Sequence, residues 1–287
     1  MNTNRKFIYV LGIAQDGGYP HLGCKDKCCD RAWKNNDYSR LPTSIAYIDE
    51  EVGKYWLFDV SPRVKEQMHL LDRFNCKFAG AFITHAHYGH YIGLLEFGLE
   101  VLNTSNVPVY VMPRMYKFII NNSPFNYLVK NNNIDLKKIE CNKPLVFDDI
   151  SISSFEVPHR NELSETVGYK IKVKNKSAVY LPDIDTFKGL KSKLISMLKE
   201  SNVVFLDGTF FTKKEIATRA FSAIPHPEVS KTMELLSDID ISSKRKINFI
   251  HFNHTNPLLN LQSFESKKVL NEDFSLSYEK QMYSFID

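Results

Sequence analysis

Thr84-His85-Ala86-His87-Tyr88-Gly89-His90 places three imidazoles within six residues, directly after the apolar run Ala79–Ile83. A short apolar run of this kind reads as a buried strand. The chain must turn where such a strand ends, so the three side chains can converge on one point. Neutral imidazole is the commonest nitrogen ligand for zinc and also suits iron and copper. A set of surface histidines on a loop is the plain alternative. It leaves unexplained why three of only nine histidines crowd one strand end. The fold must therefore carry a buried strand to a metal-binding edge.

Similar runs recur along the chain. Phe7–Ile13, Thr43–Asp49, Lys54–Asp59, Ala79–Thr84 and Pro108–Met112 predict strands in the first half, with Glu50–Gly53 joining two of them as a hairpin. Ile150–Val157, Thr166–Val173, Ala178–Leu181, Val203–Leu206 and Ile247–Phe252 predict strands in the second. Val64, Met68 and Leu71 stand at helical spacing within Pro62–Phe74, and Leu190–Lys199 and Pro227–Leu236 also read as helices. Arg114–Lys138, aromatic and Asn-rich, is either a lid or a helical packing element. No linker or tandem repeat interrupts the pattern. It predicts an α/β sandwich of two sheets, with residues 1–287 as a single domain.

Composition narrows the partners. The 287 residues are 43% hydrophobic and 24% charged, values of a globular chain with room for a sizeable core. The net charge of +4 comes from scattered lysines, so nucleic acid is not an expected partner, and the Lys-rich stretch Lys170–Lys176 reads as a solvated face. No window approaches the roughly eighteen apolar residues of a membrane span, and Phe7–Ile13 runs into Gln15-Asp16-Gly17-Gly18 rather than a cleavage site. A cytoplasmic protein is expected, compatible with a homodimer. Five cysteines do not make a disulfide scaffold here, yet Cys24, Cys28 and Cys29 cluster in a polar Gly/Lys/Asp stretch. Cys76 and Cys141 read as packing residues and His69 as a solvent-facing helix residue.

The histidine block resembles the HxHxDH signature of the metallo-β-lactamase superfamily, whose fold is a four-layer αββα sandwich with its metal site at the sheet edges. Three further stretches carry the likeness: Val157-Pro158-His159, Tyr180-Leu181-Pro182-Asp183 and Phe249-Ile250-His251. Within the superfamily the chain is most similar to the pyrroloquinoline quinone biosynthesis B proteins, through Leu11–Gly18, Phe58–Pro62, Val109–Met115 and Ile250–Pro257. The phosphoribosyl cyclic phosphodiesterases are a second likeness, sharing a cysteine-bearing first loop and a closing HxxH.

The resemblance implies one metal site from His85, His87 and His159, with Asp183 bridging to a second made by His90 and His251. Asp185 is a competing carboxylate, and a turn role for Asp183 is the alternative. The superfamily's signature Asp falls at Gly89, which offers no ligand, and Tyr88, a neutral phenol, is a poor substitute. The second metal is therefore expected to bind weakly or not at all. The cyclic phosphodiesterase likeness implies a structural zinc on Cys24, Cys28, Cys29 and His254, with His21 as the alternative fourth donor. It also departs from that family's CxCxxC spacing. His226, just before a helix, is placed to meet substrate or give a proton to a leaving group, or is simply a helix-entry residue. Asp207 is a candidate for orienting a ligand histidine.

Three functions follow. The first is a metal-dependent hydrolase using a metal-generated hydroxide on a small ester or phosphodiester, with Asp183 and His226 in the catalytic set. The second is an iron-dependent oxidative step in pyrroloquinoline quinone or related peptide-derived cofactor biosynthesis. The third is a non-catalytic, metal-stabilised carrier or binding protein. Zn2+ is expected in one structural and one or two active-site positions, with Fe2+ or Mn2+ as alternatives in the active site and a small molecule as substrate.

Overall fold

The structure, a computed structural model, describes residues 5–215 and 225–285. Residues 1–4, 216–224 and 286–287 of the single domain expected from the sequence lie outside the described residues. Strands β1 (Lys6–Gly12), β2 (Ser44–Asp49), β3 (Lys54–Phe58), β4 (Lys77–Phe82), β5 (Val107–Val111) and β6 (Ile134–Lys138) build the first sheet. Strands β7 (Leu145–Phe147), β8 (Ile150–Glu156), β9 (Val167–Val173), β10 (Lys176–Leu181), β11 (Val203–Asp207), β12 (Ile247–Ile250) and β13 (Ser275–Leu276) build the second, and β14 (Met282–Ser284) returns to the first. The orders are β14-β1-β2-β3-β4-β5-β6 and β13-β12-β11-β10-β9-β8-β7.

Both faces of β1, β2, β3, β10, β11 and β12 are buried almost throughout, so their sequences show apolar runs, whereas β8 and β9 alternate. Ile8 and Val10, Ile45 and Tyr47, and Trp56 and Phe58 point inward to a core shared with the second sheet. Phe7, Tyr9 and Leu11, Ala46 and Ile48, and Tyr55 and Leu57 point outward, under the helices Val64–Leu71, Pro113–Asn121 and Phe125–Lys130. Helices Lys191–Lys199, Val229–Leu235 and Phe264–Asn271 pack Leu194, Leu198, Met233 and Val269 on the second sheet. The result is the expected αββα layering. The β2–β3 hairpin also forms, its turn closed by Asp49 Oδ1 accepting from the backbone N–H groups of Glu51 and Val52.

Arg114–Lys138 is a packing element, not a lid. It forms two helices and the strand β6, and buries Met115, Ile119, Phe125 and Leu128 against the first sheet. The polar stretch around the cysteines is not all loop: Lys27–Lys34 is a helix carrying Cys28 and Cys29. β12 stops at Ile250 rather than Phe252, because His251 takes a left-handed φ of +68° that ends the ladder. The short β7, β13 and β14 carry too few residues for a pattern to show.

The chain ends of β1, β3, β4, β8, β10, β11 and β12 all open at one edge of the sandwich, where the two sheets meet the predicted ligands. No helix among the described residues is long and apolar enough to cross a membrane.

Candidate metal centre

Asp183, two residues past β10, is buried in the middle of the histidines. Its Oδ2 lies 2.9 Å from His90 Nε2 and 3.8 Å from His85 Nε2. Its Oδ1 lies 3.4 Å from His251 Nδ1, 4.0 Å from His159 Nε2 and 3.8 Å from His226 Nδ1. His87 joins from the β4 side, its Nδ1 3.2 Å from His159 Nε2. His85, His87 and His159 form one triad of donors within 4.8 Å of one another, and His85, His90 and Asp183 form another. A third triple, His159, Asp183 and His226, meets the same limit. Asp185 sits behind the cluster, accepting from His159 Nδ1 at 2.9 Å. Tyr88 is turned to solvent, 56% exposed.

Two buried carboxylates orient four of the rings in matching ways. Asp59, following β3, accepts from His90 Nδ1 at 2.7 Å and from Thr84 Oγ1 at 2.9 Å, while Thr84 Oγ1 accepts from His85 Nδ1 at 2.9 Å. Asp207, ending β11, accepts from His226 Nδ1 at 2.6 Å and from Thr209 Oγ1 at 2.8 Å, while Thr209 Oγ1 accepts from His251 Nδ1 at 2.9 Å. Each Asp thus holds one histidine directly and one through a hydroxyl. With Nδ1 occupied outside, Nε2 of His85 and His251 carries its lone pair inward, the tautomer this network assigns. Burial opposes charge on His90, but Asp59 and Asp183 on its two nitrogens outweigh it and raise that imidazole well above its ordinary pKa. The sequence reading named Asp207 but missed Asp59, Thr84 and Thr209. A carboxylate after an apolar strand is the one signal that could have found Asp59.

Of the buried polar atoms without a hydrogen-bond partner among the described residues, Nε2 of His85 and Nε2 of His251 belong to this cluster, and His90 Nε2 and Asp183 Oδ2 face only each other, at 2.9 Å. Each unpartnered atom costs about 1–3 kcal/mol, so the two imidazole nitrogens alone offset a sizeable part of the roughly 5–15 kcal/mol that holds a domain folded. All four atoms are of a kind that ligates cations. Burial pushes His85 well below its ordinary pKa and His87 down to about 4, so both are neutral donors. Burial also opposes charge on Asp183, but His251 and His90 outweigh it and hold the carboxyl well below its usual range. Burial likewise opposes charge on His226, but Asp207 outweighs it and raises the imidazole pKa. His226 lines a cleft of about 430 Å³ shared with Lys188, Lys213 and Lys231.

The second cluster joins Cys24, Cys28, Cys29 and His254, all within 4.8 Å of one another. Cys24 and Cys28 Sγ are 3.5 Å apart, and His254 Nδ1 is 3.6 Å from Cys28 Sγ and 3.4 Å from Cys29 Sγ. The adjacent cysteines therefore reach one point, which the helical turn at Cys28 and Cys29 makes feasible. Burial pushes the Cys29 thiol up to about 12. His21 stacks on the His254 ring at 4.5 Å instead of joining the cluster.

Residues 55–252 match the beta-lactamase superfamily domain. The coenzyme PQQ synthesis protein B of Xanthomonas axonopodis pv. citri is 23% identical over 288 residues, covering 90% of this chain and 93% of that protein. The Zn2+-bound PqqB of Methylobacterium extorquens superposes with a TM-score of 0.81 at 20% identity, over 96% of this chain and 99% of that one. A diphosphatase of the PhnP family superposes with a TM-score of 0.69 at 20% identity, over 98% and 97%.

Proposed function

The chain belongs to the beta-lactamase superfamily, and on that footing we propose that it is a metal-dependent hydrolase of a small anionic ester or phosphodiester. The observation that carries this reading is the set of buried imidazole and carboxylate atoms that converge around Asp183, with Nε2 of His85 and His251 left without a partner. His85, His87 and His159 would hold one divalent ion. His90 and His251 would contribute to a second, with Asp183 between them. Zn2+ suits this donor set, with Mn2+ or Fe2+ as alternatives. Such an ion supplies a water acidified toward neutrality and a Lewis acid for the substrate oxygen.

The protein's own groups supply the rest. Thr84, Asp59, Thr209, Asp185 and Asp207 fix the rings, so no reorganisation is needed when charge develops. Lys188, Lys213 and Lys231 line the cleft together with Asp185 and Glu228, a net positive lining that favours a negatively charged substrate. His226, whose Nδ1 donates to Asp207, is placed to give a proton to the leaving oxygen. His226→Ala should then slow an alkyl phosphodiester by about 10²–10⁴-fold, and bis-p-nitrophenyl phosphate far less, because p-nitrophenolate leaves without a proton. Equal losses on both would contradict an acid role. One shared core between the sheets supports reading residues 1–287 as a single domain.

The fourth-corner arrangement of Cys24, Cys28, Cys29 and His254 supports a structural Zn2+ there. Sulfur and nitrogen donors on one tetrahedral zinc stand about 3.5–3.8 Å apart, and the observed separations are 3.4–3.6 Å. Cys24→Ser should remove one equivalent of zinc and lower the melting temperature by about 5–10 °C. An unchanged zinc content would sink this assignment.

Hydrolysis of bis-p-nitrophenyl phosphate by the Zn2+- or Mn2+-loaded protein tests the main reading. Turnover abolished by His87→Ala is expected; no turnover with any phosphodiester or ester would favour a carrier. The likeness to coenzyme PQQ synthesis protein B over 90% of the chain favours one second reading, an iron-dependent oxidative step on a small-molecule or peptide precursor. Bound iron with oxygen uptake would select it.

A further inference from the structure

The superfamily's signature carboxylate is missing at Gly89, and the space it leaves is taken by another acid. Asp16 lies in the turn after β1, and its Oδ1 accepts from the Gly89 backbone N–H at 3.0 Å. The same oxygen stands 3.8 Å from His90 Nε2. Asp16, His90 and His251 place donor atoms within 4.8 Å of one another. Two donors on one tetrahedral ion at about 2.0–2.2 Å stand roughly 3.3–3.6 Å apart, so the Asp16–His90 separation of 3.8 Å lies within a few tenths of an ångström of that of two donors sharing a cation. His251 Nε2 is buried and has no hydrogen-bond partner, and His90 Nε2, also buried, faces Asp16 Oδ1 as well as Asp183 Oδ2.

We propose that Asp16 is a ligand of the second metal, standing in for the side chain that position 89 lacks. The inference rests on the metal-centre reading above. It reverses the expectation of a weak or absent second ion, since Asp16 restores the missing charge and the missing donor.

Gly89 and Asp16 are sterically matched. A Cβ at position 89 would stand 2.5 Å from Asp16 Oδ1 and 2.7 Å from Asp16 Cα. No side chain at 89 can coexist with this turn, so the carboxylate has to come from the turn itself. The turn is pinned beside His251 by the neighbouring backbone: Gln15 N–H donates to Phe252 O at 2.8 Å, and Phe252 N–H to Ile13 O at 2.7 Å. Asp16 and His251 both hold left-handed φ values, +27° and +68°, strain of the kind that persists where a site over-determines the backbone.

The test is Co2+ titration of the metal-stripped protein, read by chelator competition and by the visible cobalt bands. The wild type should take three equivalents: one on the thiolates, one on the three-histidine set and a third beside Asp16. Asp16→Asn keeps an oxygen for the Gly89 N–H and removes only the charge. It should weaken the third equivalent by at least about a hundredfold, beyond the 10–100-fold typical of an outer-sphere change, and leave the other two intact. Gly89→Ala, which adds no ligand but displaces the turn, should weaken the same equivalent. Unchanged binding by Asp16→Asn overturns the proposal, as does a parallel loss of all three equivalents, which marks a role in folding. A wild type that takes Co2+ only on the thiolates overturns the metal-centre reading itself.

Discussion

Asp183→Asn should lower kcat/KM on bis-p-nitrophenyl phosphate by at least about 10³-fold, a loss of roughly 4 kcal/mol of transition-state stabilisation. The substitution is isosteric, so the effect comes from charge. One carboxylate faces His85 and His90 with Oδ2 and His159, His226 and His251 with Oδ1. An amide there puts a neutral oxygen and an N–H donor where two cations would be held, and at least one active-site ion should be lost with the activity. Asp185→Asn provides the contrast. Asp185 meets the centre through the outer Nδ1 of His159, so its loss should cost about 10–100-fold in metal affinity. Equal effects of the two substitutions, measured by steady-state kinetics with metal analysis on the same samples, would contradict a central role for Asp183.

Removing the metals should destabilise the fold strongly. Without cations the cluster buries Nε2 of His85 and His251 with no partner, and the cysteine cluster would lose the ion that closes it. A loss of about 4 kcal/mol corresponds to a melting temperature lower by about 7 °C in a chain of this size. Scanning calorimetry before and after chelation, then after Zn2+ is restored, reads this directly. The drop should reverse on restoring the ion, because binding to the native state alone stabilises by mass action. A melting temperature indifferent to chelator would mean that neither cluster holds an ion. The two contributions separate in Cys24→Ser, where the remaining chelator-sensitive shift belongs to the histidine centre.

The layered fold and most of the centre were legible in the sequence for one physical reason. Buried strands leave uninterrupted apolar runs, and the groups at their ends are forced to one edge of the sandwich. His85, His87, Asp183 and His251 each follow such a run and His159 follows the alternating strand β8, so order along the chain predicted their meeting. Asp16 was not legible as part of the centre. Its role depends on contact with Gly89, 73 residues away, and on the absence of a side chain there. Glycine at 89 therefore read as a ligand lost, whereas the structure shows a carboxylate brought in from the β1 turn. Thr84 and Thr209 were equally silent, because a hydroxyl relaying an Asp to a His leaves no periodic trace. The cysteines misled locally: their charged neighbours read as loop, but Lys27–Lys34 folds as a helix and turns Cys28 and Cys29 toward His254.

Native mass spectrometry of the intact chain, purified without chelator, tests the central claim that the histidine–carboxylate cluster is a divalent-metal centre. The account expects three ions per chain in the wild type and a loss of histidine-centre metal in His85→Ala, with the thiolate-bound zinc retained. A wild type carrying a single zinc that disappears only with Cys24→Ser, and that His85→Ala leaves untouched, would contradict it.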